Sequence, residues 1–108
     1  MHLIKYPLIA FCFFFYTTSI FAVDVVGDAK VGQAKAAACA ACHGPKGINS
    51  TGGFPNLAGQ NEVYIVTSLK AFREKKREAD IMNTIAAALD DQDIANLAAY
   101  YNGLNSCP

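Results

Sequence analysis

Apolar residues fall into two regimes along this chain of 108 residues. Up to Ala22 they run almost without a break; from Val23 onward they recur at helical spacing. Three main helices follow from that spacing. The first is predicted from an N-cap at Asp28 through Lys30 to about Ala41, ending before Gly44-Pro45, with Gly32, Ala36 and Cys39 on one face. The second is predicted over roughly Glu62 to Lys76, with Ile65, Val66, Leu69 and Phe72 on its apolar side. The third begins at Asp90, with Asp93 three residues on in a capping-box position. Ile94, Leu97, Ala98 and Tyr101 form its stripe, and Gly103 marks its end. A shorter helical piece is predicted over Thr84 to Ala88, and Gly44 to Gly59 reads as a loop rich in Gly, Pro, Asn and Ser. The one β-branched cluster outside a helical pattern is Val23 to Val26, so the expected fold class is all-α.

The continuous regime has a separate meaning. Residues 1–22 hold 16 apolar residues, open with Lys5 and close on the small residue Ala22, as a cleaved secretory signal peptide does. Thr17, Thr18 and Ser19 interrupt the stretch, which falls short of the ~20 residues of a membrane span. The expectation is an exported, periplasmic domain over 23–108 with no stable membrane insertion after cleavage. Setting the leader aside changes the composition. The whole chain is 53% apolar with no net charge, but the 86 residues that remain carry 16 alanines, no Trp, and eight cations against nine acids. That balance excludes a strongly basic nucleic-acid binder and an acidic disordered tail. One small domain is the ceiling, and a monomer is expected. Its alanine-rich core is short of bulk, so something must fill or staple it.

Cys39-Ala40-Ala41-Cys42-His43 supplies a filler. It is the C-x-x-C-H pattern of c-type haem attachment: two cysteines three apart on a helix reach two vinyl groups on one porphyrin edge. The adjacent His43 then supplies an imidazole nitrogen to the iron. Two other readings compete. A thioredoxin-like redox pair needs its cysteines at the start of a helix after a buried strand, whereas these come late in a helix. A structural zinc site could count Cys39, Cys42, His43 and Cys107, but neighbouring Cys42 and His43 would strain a tetrahedron.

Beyond the leader there is one histidine and one methionine. His43 is used by the motif, so the candidate for the sixth iron position is Met82, placed in a loop between the second and third helices. An open or lysine-ligated iron is the alternative, and would imply a gas sensor or a peroxidase with a displaceable sixth ligand.

The sequence resembles the small bacterial class I cytochromes c, close to monohaem and tandem dihaem periplasmic members. The resemblance runs from about Val26 to Leu104. Its carriers are Gly27-Asp28, Gly32, Cys39 to Gly44, Gly47, Pro55-Asn-Leu-Ala-Gly-Gln60, Met82 and the block from Leu89 to Tyr101. It implies three main helices wrapped around one haem c, held by two thioethers. It implies that the Pro55 carbonyl receives the other imidazole nitrogen of His43 and that Leu57 packs on the haem face. Gly32 would let the first helix cross the last at close range, with Tyr100 in the notch. The segment Arg73 to Arg77 departs from the family by lacking an expected glycine, and the run to Met82 is short.

The implied function is single-electron transfer between redox proteins, without an enzymatic reaction of its own. Lys70, Arg73, Lys75, Lys76 and Arg77 place five cations within eight residues. They read either as a docking face for an acidic redox partner or as a solvated helix end that complements the dipole. Cys107 reads as an exposed thiol near the end of the chain. With so small an alanine-rich core, the apoprotein is expected to be largely unfolded.

Overall fold

A computed structural model describes residues 25–107. The signal peptide expected over 1–22 lies outside the described residues. Five helices follow in order: α1 (Ala29–Lys35), α2 (Ala37–His43), α3 (Glu62–Arg73), α4 (Asp80–Ala87) and α5 (Asp91–Asn102), with no strand among the described residues.

The crossing of α1 over α5 organises the fold. A Cβ on Gly32 would lie 2.0 Å from the Asn96 carbonyl oxygen and 2.9 Å from Tyr100 Cβ, so the two backbones meet where only glycine fits. Gly27 makes a second such approach, to the carbonyl of Ala95 at 2.0 Å. Asn96 is buried there, yet its Oδ1 accepts the Asp28 N–H at 2.8 Å and a Gln92 Nε2–H at 2.9 Å. Lys35 closes the crossing with an ion pair to Asp93 at 2.6 Å. Asp90 and Asp93 form the capping box that the sequence predicts at the start of α5. Ile94 and Leu97 on α5 are the largest fully buried side chains. Leu97, Ala98 and Tyr101 pack with Ala36 and Ile65, and Leu57, Leu69 and Leu104 lie against that cluster.

Three local expectations are corrected. The first helix is not continuous from Lys30 to Ala41. At Ala36 the N–H turns to the Gln33 carbonyl at 3.3 Å, a tightened turn that separates α1 from α2. No proline or glycine marks this break.

The second helix stops at Arg73 rather than Lys76. Lys75 adopts φ 58°, and the N–H groups of Lys76 and Lys75 close on the carbonyls of Ala71 and Phe72. That is a Schellman end with lysine in the left-handed position that glycine usually takes. The glycine missing from the Arg73–Arg77 stretch is thus missing from a position whose backbone still demands it.

The third correction concerns Met82, which lies on a helix rather than in a loop. Helix α4 begins at Asp80, and the piece predicted over Thr84 to Ala88 is its second half. Ala79 offers no capping side chain, so Asn83 does the work from inside. Its Oδ1 accepts the Ala79 N–H at 2.9 Å, while its Nδ2 donates to the carbonyls of Phe72 at 2.7 Å and Arg77 at 2.9 Å. One asparagine therefore starts α4 and fastens it to the end of α3.

Candidate functional site

The C-x-x-C-H residues occupy the last turn and a half of α2, so Cys39 and Cys42 lie one turn apart and His43 ends the helix. Gly44 follows at φ 93°, and turns the chain so sharply that a Cβ there would meet the Ile48 carbonyl oxygen at 1.9 Å. His43 is buried, with Nδ1 2.6 Å from the Pro55 carbonyl oxygen. A carbonyl can only accept, so Nδ1 carries the proton and the lone pair is left on Nε2. Phe54 meets the His43 ring edge-on, with centroids 6.1 Å apart.

A cavity of about 630 Å³ opens beside these residues. Cys39, Cys42 and His43 form its α2 wall, Pro55 and Leu57 come from the loop, Leu69 and Phe72 from α3, and Met82 and Ile85 from α4. Every residue that the sequence singles out for the cofactor therefore borders one space, although α2 and α4 are separated by 36 residues of chain. Met82 is half-buried. Burial pushes the Cys39 thiol and the Tyr101 phenol above their ordinary values. A thiol kept neutral in this way is the opposite of the low-pKa thiolate of a redox dithiol pair. Among the described residues no three His, Cys, Asp or Glu side chains converge as a metal cage, and Cys107 is exposed. The zinc alternative therefore has no assembled site.

These surroundings fit a haem. The space has the size of a cofactor pocket, about 300–1,000 Å³. Two free thiols stand on its wall, with a buried imidazole whose Nε2 is uncommitted and a soft thioether on another helix.

Sequence reading did not single out Phe54, Ile81 and Ile85, which also line the cavity. Ile81, Met82 and Ile85 lie within four residues of one another, and once α4 is recognised that spacing points them to one side.

The five cations near the end of α3 are largely committed to neighbours. Arg73 reaches Asp91 at 2.6 Å and the Leu89 carbonyl at 3.1 Å, and Lys70 stands 3.9 Å from Asp91. Lys76 pairs with Glu74 at 2.9 Å, and the Arg77 guanidinium sits 4.6 Å over the Phe72 ring at the cavity. Lys75 is exposed.

Residues 29–105 match the family Cytochrome c. The chain is 43% identical over 79 residues to cytochrome c-554(548) of Halomonas halodenitrificans, covering 70% of this chain and 95% of that protein. It is 45% identical over 75 residues to cytochrome c4 of Pseudomonas aeruginosa, covering 69% of this chain but 37% of that one. The crystal structure of reduced recombinant cytochrome c4 from Pseudomonas stutzeri superposes with a TM-score of 0.66 at 35% identity, over 74% of this chain and 52% of that one. The chain thus spans about a third to a half of the cytochrome c4 chains and nearly all of the c-554(548) chain. A family match over most of the described residues, an all-helical fold shared with cytochrome c4, and a C-x-x-C-H motif on the wall of a haem-sized cavity converge: this chain belongs to the cytochrome c family, as a small bacterial class I member with one covalently bound haem c.

Proposed function

We propose that the chain is a periplasmic electron carrier and not an enzyme, built as a single domain over 23–108 after removal of residues 1–22. The observation that carries this reading is the convergence of Cys39, Cys42, His43 and Met82 on one apolar cavity. In this reading Cys39 and Cys42 would hold the haem by thioethers, and His43 and Met82 would supply the two protein ligands to its iron. When bound, the haem supplies a one-electron Fe(II)/Fe(III) couple. The protein's part is to hold that couple rigidly and keep water from it. The Pro55 carbonyl fixes the His43 tautomer and ring plane. Leu57 and Phe72 wall the site with apolar surface, and the neutral Met82 thioether favours the reduced state.

Donor and acceptor proteins would meet the rim of the cavity, where Phe54, Tyr64 and Ile81 are exposed. Of the cations Lys70, Arg73, Lys75, Lys76 and Arg77, Arg77 lines the cavity itself. The pairing of Lys70, Arg73 and Lys76 with acids favours the reading of a solvated helix end for most of this charge.

The test is optical. The oxidised exported protein should show the red charge-transfer band of methionine bound to ferric haem, lose it in Met82→Ala, and resist carbon monoxide when reduced. Absence of that band in the unsubstituted protein, with immediate carbon monoxide binding, would replace the carrier by a sensor or peroxidase.

A further inference from the structure

A run of side-chain hydrogen bonds ties the haem-attachment helix to the loop that carries Pro55, and neither the motif nor its spacing requires it. Asn49 Nδ2 donates to the Cys42 carbonyl at 2.9 Å, capping one of the carbonyls that the end of α2 leaves without a helical partner. Asn49 Oδ1 accepts from both the N–H and the hydroxyl of Thr51, each at 2.7 Å. The backbone N–H of Asn49 donates to Asn56 Oδ1, again at 2.7 Å. Asn56 is the residue after Pro55, whose carbonyl meets His43 Nδ1. Directly after Asn56, the N–H groups of Leu57 and Ala58 both donate to the Gly47 carbonyl, at 2.7 and 3.0 Å. The chain is therefore held at Asn56, Leu57 and Ala58, the three residues that follow Pro55.

Packing gives the tip of this loop, at Gly52 and Gly53, little other support. At Gly52 and Gly53 a Cβ would meet nothing within 4 Å, and Phe54 is 43% exposed. A tip without side-chain neighbours leans on the hydrogen bonds at its base to keep its place.

We propose that Asn49 and Asn56 are positioning residues for the iron site: acting through the Pro55 carbonyl, they set how strongly the His43 imidazole donates. The proposal rests on the reading of His43 as a ligand to the haem iron. A hydrogen bond from Nδ1–H to a carbonyl shifts electron density towards Nε2, and a more basic imidazole favours Fe(III). Loosening the brace weakens that bond and raises the reduction potential.

The experiment uses the haem-loaded protein. Asn56→Leu, similar in shape but without the acceptor, should raise the reduced-to-oxidised ratio at fixed applied potential about twofold to tenfold, equivalent to about 20–60 mV for one electron. It should also speed solvent exchange of the His43 Nδ1 proton, read by NMR. Asn49→Ala, which removes the cap on Cys42, should move both readings in the same direction. Asn56→Asp keeps the acceptor and should not raise the potential. Lys35→Met, which breaks a remote ion pair, controls for lost stability and should leave both readings in place.

An unchanged potential and unchanged proton exchange in Asn56→Leu or Asn49→Ala, with haem attached and the methionine band intact, would overturn the proposal. Should one of the two variants fail to accumulate, the other decides. Loss of the haem reading itself would look different: the unsubstituted protein would lack the covalent haem or the methionine band.

Discussion

The α1–α5 crossing and the cavity wall are built on opposite principles. At the crossing, backbone touches backbone across Gly27 and Gly32, the α5 residues from Ile94 to Ala98 are buried, and buried Asn96 has partners within the crossing. On the cavity wall, Leu57, Leu69, Phe72, Met82 and Ile85 line a space of about 630 Å³, although Leu57 and Leu69 also touch the core cluster. The first region completes its own contacts. The second has its apolar surface prepared for something that the polypeptide does not supply. The lesson is that haem here is both the redox centre and the missing half of the core.

The strongest way to break the comparison is to withhold the haem. A Cys39→Ala, Cys42→Ala double variant should lose most of its far-ultraviolet helix signal, and whatever protection against amide exchange survives should lie in α1 and α5. An apoprotein with full helix content would show that the cavity wall stands by itself. Next in size is the crossing. Gly32→Val forces a Cβ into the Asn96 carbonyl, and should cost the haem-loaded protein about 3 kcal/mol or more in denaturant unfolding. A loss under 1 kcal/mol would mean that the helices can separate cheaply.

The junction between α3 and α4 offers a smaller effect in the other direction. Lys75→Gly relieves a left-handed lysine at a Schellman end and should stabilise by about 0.5–1 kcal/mol, after allowing for the greater freedom of glycine in the unfolded chain.

The smallest effect is electrostatic. The Lys35 ammonium holds the Asp93 carboxyl below the usual carboxylate range, as Arg73 does for Asp91. A carboxylate depressed in the folded state stabilises above its unfolded pKa, and that contribution is lost as pH falls through the folded value. Denaturation midpoints should therefore decline in acid below about pH 4, and Lys35→Met should make that decline shallower without changing its sign. An identical acid limb in Lys35→Met would take the ion pair out of the stability of the crossing.

Much of this was legible beforehand where the signal is local. The capping box at Asp90 and Asp93 involves residues three apart, and C-x-x-C-H lies within a single pentapeptide. The break at Ala36 was not legible, because alanine suits a helix and nothing local prohibits continuation. The start of α4 was missed for a related reason. Its cap comes from Asn83 inside the helix, reaching back to Ala79 and across to Phe72 and Arg77, so the usual preceding Ser, Thr, Asp or Asn is absent. The end of α3 was misplaced because Lys75 occupies a position at which sequence reading looks for glycine.

By itself the sequence determined the all-α class, the alanine-rich core in need of a filler, and the haem-attachment motif at Cys39 and Cys42, since helical period and motif are properties of neighbouring residues. Tertiary structure decided what depends on contact across the chain. It brought Met82 on α4 and His43 on α2 to the same cavity, and turned the Pro55 carbonyl to His43 Nδ1. It also committed most of the cations near the end of α3 to acids and to Phe72. Spacing along a helix fixes direction only within that helix. Where two helices meet is settled by backbone approach and by the space between them, and in this chain that means the notches at Gly27 and Gly32 and a cavity shaped for a haem.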